Sequence, residues 1–139
     1  MEIRRAHEGD GERVHPLLEQ LMHADRERRG GAWRVALKDP DYTAWVAEAD
    51  GKAIGFLDLF VLADVAHGAN IAVINNLVVD AGFRSRGIGT HLLRAAERHR
   101  RERGAVETHV WTGRENGPAI RLYTACGFVD RGVLLELEL

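Results

Sequence analysis

The stretch Asn70 to Arg103 constrains the fold more than any other part of the chain. A β-rich run, Asn70 to Val79, enters a turn rich in glycine and arginine, and the turn opens directly into an amphipathic segment from about Arg86 to Arg103. Ala105 to Thr112 then reads as another strand. Strand, helix and strand in that order predict a parallel pair joined by a crossover, because parallel neighbours cannot be linked by a tight turn. The preceding segment predicts the opposite pairing. Ala44 to Ala49 and Ala53 to Leu62 flank Asp50-Gly51, a two-residue sequence that suits the left-handed backbone of a tight hairpin. A parallel pair inside an otherwise antiparallel sheet is therefore expected.

The remaining segments fill out one domain over residues 1–139, with no repeat or Pro/Gly/Ser-rich linker. Met1 to Ala6 reads as a short strand, and Val14, Leu17, Leu18, Leu21 and Met22 have helical spacing. Gly30-Gly31 interrupts that pattern, so Trp33 to Tyr42 is expected to be a loop with at most a short helix. Ala63 to Ala69 reads as a loop and Asn116 to Ala125 as a short helix. Phe128 to Leu139 reads as a closing strand or pair of strands, turning at Gly132. Hydrophobic residues make up 45% and charged residues 29% of the chain, which is globular composition. The longest apolar runs are broken by Asp58, Asn75 and Asn76, so no membrane span is expected. The charged start Met1-Glu2-Ile3-Arg4-Arg5 and the single cysteine, Cys126, predict a reducing cytoplasm. A net charge of −2 offers no basic field for nucleic acid, which leaves a small-molecule or peptide ligand as the expectation.

The turn Asp80-Ala81-Gly82-Phe83-Arg84-Ser85-Arg86-Gly87-Ile88-Gly89-Thr90 has the chemistry of a pyrophosphate cradle. A helix start presents unpaired N–H groups and the positive end of the helix dipole, and glycines let an anion approach the main chain. Arg84 and Arg86 add charge. The spacing excludes a nucleotide triphosphatase loop, because Ile88-Gly89 stand where Lys and Ser or Thr are needed after Gly87. It also misses the dinucleotide fingerprint, since Leu92 takes the place of the third glycine. On its own the pattern is also met by a plain tight turn with solvated arginines.

The pattern Arg84-x-x-Gly87-x-Gly89, following Leu77-Val78-Val79, is completed downstream by Asn116-x-x-Ala119-x-x-Leu122-Tyr123-x-x-x-Gly127-Phe128. Together these resemble the GNAT family of N-acetyltransferases over Ala44 to Phe128, and more loosely at Ile3-Arg4-Arg5-Ala6. The resemblance implies an α/β fold: a mixed, mostly antiparallel central sheet with helices on both faces, and acetyl-CoA bound where two parallel strands splay apart. It implies backbone contacts from Leu77, Val78 and Val79 to the pantetheine arm. Arg84, Ser85, Arg86, Gly87, Ile88, Gly89 and Thr90 would surround the pyrophosphate, Asn116 would lie near the cofactor arm and Tyr123 near the coenzyme sulfur. The implied reaction is direct transfer of acetyl to a primary amine. In that chemistry a backbone N–H such as that of Val79 stabilises the oxyanion, and Tyr123 protonates the leaving thiolate.

Many relatives carry a glutamate base in the strand where this chain has Asn75 and Asn76. An amide accepts no proton at neutral pH, so these residues are expected to hold a water or the amine. Glu107 and His109, on one face of their strand by alternation, are the alternative, with His109 the better base. In the resembling family the segment after the first helix covers the acceptor, which makes Trp33, Tyr42 and Asp58 candidate substrate contacts. His7, His15 and His23 lack metal-ligand spacing, and no metal site is expected. Cys126 reads as a buried small side chain. The alternating segment Val133 to Leu139 could present an edge to a second copy, giving a homodimer. Transfer of another acyl group, or a catalytically silent acyl-CoA-binding module, are the competing functions.

Overall fold

Residues 1–138 are described by a computed structural model. Five strands form one sheet in the order β1 (Glu2–Arg5), β2 (Tyr42–Ala49), β3 (Lys52–Asp64), β4 (Ala69–Val79), β5 (Ala105–Val110). All neighbours are antiparallel except β4 and β5, which are parallel. The hairpin between β2 and β3 forms at Asp50 and Gly51, both left-handed with φ of 50° and 74°, as its sequence predicts.

Alternation along the central strands sorts their side chains to two faces. Trp45, Ala47, Leu57, Leu59, Ala72 and Ile74 pack beneath α3 (Ile88–Glu102), which contributes Ile88, Leu92, Leu93, Ala95 and Ala96. Val46, Phe56 and Val78 face the opposite way, against Val14 and Leu17 of α1 (Gly11–Glu19) and Trp33 of α2 (Arg26–Leu37). A Cβ at Gly55 would lie 3.0 Å from Ile88 Cγ2 and 3.1 Å from the Ala47 methyl, so β3 and the first turn of α3 are in close contact. This contact fixes where α3 begins. The α4 helix (Gly117–Ala125) completes the described elements.

Two expectations are corrected. The segment expected to be mostly loop contains α2, which runs through Gly30 and Gly31. Each glycine costs a helix about 1 kcal/mol, but Asp25 caps the N-terminus by accepting from Arg28 N. Arg29 ties the helix to Glu19 and to the carbonyl of Met22. The expected closing strand is not formed. Residues 129–138 pair with no strand, and Val133, Leu135 and Leu137 are 62%, 85% and 85% exposed. The last residue of that expectation, Leu139, lies outside the described residues. Alternation marks strand potential, but a strand needs a partner with free ladder groups. The α1 helix stops at Glu19, leaving Leu21 and Met22 exposed, and β3 continues to Asp64.

Candidate active site

A splay opens midway along β4. The parallel ladder to β5 ends at Ile74 opposite Val110, whereas the antiparallel ladder to β3 continues to Val79 opposite Gly55. From Asn75 to Val79 the β5-facing edge of β4 therefore has no strand partner. A β-bulge lies where the splay begins: Asp58 pairs with Asn76 but Leu59 with Ile74, so Asn75 is an extra residue in β4. Bulges bend a strand and add twist, which turns this half of β4 away from β5.

The free edge leads into the turn. A short 3-10 segment, Ala81–Phe83, follows Asp80, and Arg84 is extended. Ser85 and Gly87 adopt left-handed φ values of 65° and 80°, and Gly87 precedes α3 with no side chain capping its first amides. Ile88, Gly89 and Thr90 thus offer backbone donors at the positive end of a 15-residue helix. The Ser85 strain has no sequence signal, since left-handed backbone is expected of glycine. Arg84 and Arg86 are exposed at the turn. Arg84 Nε donates to the Val79 carbonyl at 3.3 Å, and the Arg86 guanidinium lies 5.1 Å from the centre of the Phe83 ring.

Tyr123 is carried to this turn by α4. A Cβ at Gly89 would lie 2.9 Å from Leu122 Cδ2, so the Leu122 side chain of α4 rests against the first turn of α3 and would have to shift for any larger residue. The Tyr123 ring is buried and packs on Phe128 at 5.5 Å. Burial pushes its phenol up to about 12, which keeps the proton on the oxygen at neutral pH. Asn116 caps α4: its Oδ1 accepts from Ala119 N at 3.2 Å.

On the opposite sheet face, β2, β3 and β4 converge on one carboxylate. Asp58, 6% exposed, accepts from the Tyr42 hydroxyl at 2.6 Å and from Asn76 Nδ2 at 3.0 Å and 3.2 Å. Burial raises its pKa, against the lowering effect of the Tyr42 and Asn76 hydrogen bonds. Glu107 and His109 do share a face of β5, where His109 Nε2 lies 2.8 Å from Glu107 Oε2. A carboxylate accepts, so Nε2 carries the hydrogen and Nδ1 holds the lone pair. His67 Nε2 lies 3.1 Å from the other Glu107 oxygen.

Trp33, expected as a substrate contact, lies among the core residues under α1 and α2. It is 8% exposed, donates from Nε1 to the Glu8 carbonyl at 3.1 Å and packs on Phe56. Its place in α2 aims it at the sheet, because it is that helix's one buried residue. Cys126 is also exposed rather than buried. The Asp58 cluster was only partly legible: Tyr42 and Asp58 stand out as polar residues within apolar strands, but nothing in the sequence joins them to Asn76. Among the described residues no group of three or more His, Cys, Asp or Glu side chains is arranged to hold a metal ion, and no helix is long and apolar enough to cross a membrane.

A mixed sheet with a splayed parallel pair, a Gly-turn at a helix start and a tyrosine helix laid against it define a class of acyl-transferring enzymes. The sequence profile of the acetyltransferase (GNAT) family matches residues 6–128, and the chain belongs to that family as an N-acetyltransferase. An uncharacterized N-acetyltransferase of Methanocaldococcus jannaschii is 35% identical over 92 residues, covering 65% of this chain and 40% of that protein. An aminoglycoside N(6')-acetyltransferase of Salmonella enteritidis is 28% identical over 135 residues, covering 94% of this chain and 92% of the relative. A solved aminoglycoside N-acetyltransferase in complex with CoA shares the fold, with a TM-score of 0.89 at 24% identity over 99% of this chain and 93% of its own.

Proposed function

We propose that the protein uses acetyl-CoA to acetylate a primary amine of a small molecule or peptide by direct transfer. The observation that carries this reading is the unpaired β4 edge, Asn75 to Val79, running into the uncapped amides of Ile88 to Thr90. An extended pantetheine amide chain pairs with such an edge as a peptide strand would, and the pyrophosphate then meets the helix start with Arg84 and Arg86 beside it.

The amine must arrive with a lone pair, since an alkylammonium with a pKa near 10 cannot attack. His109 Nδ1 takes its proton, directly or through water, while Asn75 and Asn76 hold the amine by hydrogen bonds. Nitrogen attacks the thioester carbon, a backbone N–H receives the oxyanion, and collapse breaks the C–S bond. Tyr123 gives its proton to the departing sulfur. His109→Gln is expected to lower kcat/KM about tenfold to a hundredfold without changing acetyl-CoA affinity, by the usual worth of a general base.

Isothermal titration with acetyl-CoA tests the first half of this reading. The parent is expected to bind, and Arg84→Ala/Arg86→Ala, which removes two exposed side chains, to bind about tenfold more weakly. No binding by the parent refutes the cofactor assignment. An amine panel of neamine, 2-aminoethylphosphonate and an alanyl peptide then tests turnover. Asn75 and Asn76 in place of an acid favour one competing reading, a silent acyl-CoA-binding module; cofactor binding without turnover of any amine, and indifference to Tyr123→Phe, would support it. We also propose that residues 133–138, with their exposed alternating apolar side chains, mediate a homodimer. Light scattering at one chain mass overturns that proposal.

A further inference from the structure

Resting on the acetyltransferase reading, we propose that Asp58 is the positioning residue of the acceptor site, holding the Asn76 side chain so that its carbonyl oxygen receives an N–H of the incoming amine.

The argument starts from the cost of the carboxylate. A nearly buried acid in the middle of a sheet carries a large desolvation penalty unless its lone pairs are met. Here they are met by neutral donors only, Tyr42 from β2 and Asn76 from β4, with no cation in contact. In its ionised form the carboxylate is hydrogen-bonded yet not neutralised. A neutral partner set around a buried anion leaves room for a cation, and an alkylammonium is the cation this reaction brings.

Geometry fixes which group meets it. An ionised carboxylate has no hydrogen to give, so Asn76 must turn its Nδ2 to Asp58 and its Oδ1 away. Asn76 Nδ2 reaches both carboxylate oxygens, at 3.0 Å and 3.2 Å, which leaves little rotational freedom about the terminal torsion. Without Asp58 the amide would be free to flip and present a donor, which repels an N–H. The neighbouring bulge at Asn75 marks where β4 leaves β5, so Asn76 stands at the mouth of the splay. Tyr42 acts on Asp58 from the other side, and its hydroxyl at 2.6 Å stops the carboxylate from swinging. A side chain two removes from the reaction thus sets the polarity of the surface the acceptor meets.

The test is a swap. Acetyl-CoA and neamine are titrated in turn into the parent, Asp58→Asn, Asn76→Asp and the double variant Asp58→Asn/Asn76→Asp, with KM and kcat measured for neamine. Either single change is expected to raise the neamine KM about tenfold while acetyl-CoA affinity stays within twofold. The double variant restores a donor at 58 facing an acceptor at 76, and its KM is expected to return to within about threefold of the parent. A neamine KM unchanged in Asp58→Asn overturns the proposal. So does a loss of acetyl-CoA affinity parallel to the rise in KM, which is the mark of a merely structural pair. A parent that binds acetyl-CoA but neither binds nor acetylates neamine overturns the acceptor assignment and leaves the cofactor reading standing, whereas a parent that binds no acetyl-CoA overturns both.

Discussion

His99 lies on the buried face of α3 with its ring steeply inclined to that of Trp45, 5.4 Å between centres. Arg5 can only donate, so the 3.3 Å contact to Nδ1 makes that nitrogen an acceptor and puts the hydrogen on Nε2, facing Thr43 Oγ1 at 3.2 Å. Burial first, then the charges of Arg5 and Arg103, lower its pKa. The unfolded chain therefore takes a proton near pH 6.5 that the folded chain refuses, and stability falls as pH drops below that value until the folded group titrates. Denaturant unfolding should show this loss between about pH 7 and 5, and His99→Gln should remove it. Asp10 adds a second step. Fully buried and held at about 2 chiefly by the Arg4 hydrogen bond, it contributes about 2 kcal/mol that is present above its unfolded value of 3.8 and lost as pH falls toward 2. Neither residue announces itself in the sequence. A histidine in a basic helix end and an aspartate before a helix read as surface groups: the partners of His99 are strands away, and those of Asp10, though within six residues, have no recognisable pattern.

At the scale of elements, the glycines of the turn divide into two kinds. Gly87 is needed for its φ of 80°, and Gly89 for the space Leu122 occupies. Gly89→Val should force α4 off α3, weaken acetyl-CoA binding and expose Tyr123, which near-ultraviolet dichroism and titration would detect. Gly87→Ala should instead cost about 1 to 2 kcal/mol of stability for its left-handed backbone, with a smaller effect on binding. The turn, its helix and the hairpin at Asp50-Gly51 were legible because each rests on local chemistry: a cap, a dipole, a left-handed dipeptide. The α2 helix was not legible. Its stabilisation comes from Arg29, which bonds to Glu19 and Met22, and from Trp33 against Phe56, contacts that outweigh two glycines and carry no period.

For the whole molecule, the crossover from β4 through α3 to β5 was readable as a parallel pair. The point where that pair separates was not, since it depends on a one-residue slip between β3 and β4. The tail after Phe128 shows the converse: a strand-like pattern with no edge to join. Helix α4 sits between these, attached through Leu122 at Gly89 and through Tyr123 and Phe128. A coenzyme lying along β4 and under α4 would bridge segments far apart in the chain, and so act as a fastener for the last third of the protein. At a hundred times its dissociation constant, a ligand that binds only the closed form adds about 2.7 kcal/mol to closing it. Amides of α4 should then exchange with solvent about a hundredfold more slowly when acetyl-CoA is present, while those of β2 and β3 hardly change. The enzyme would be least protected against proteolysis at α4 when its donor is scarce, so the supply of acetyl-CoA would set its lifetime as well as its rate.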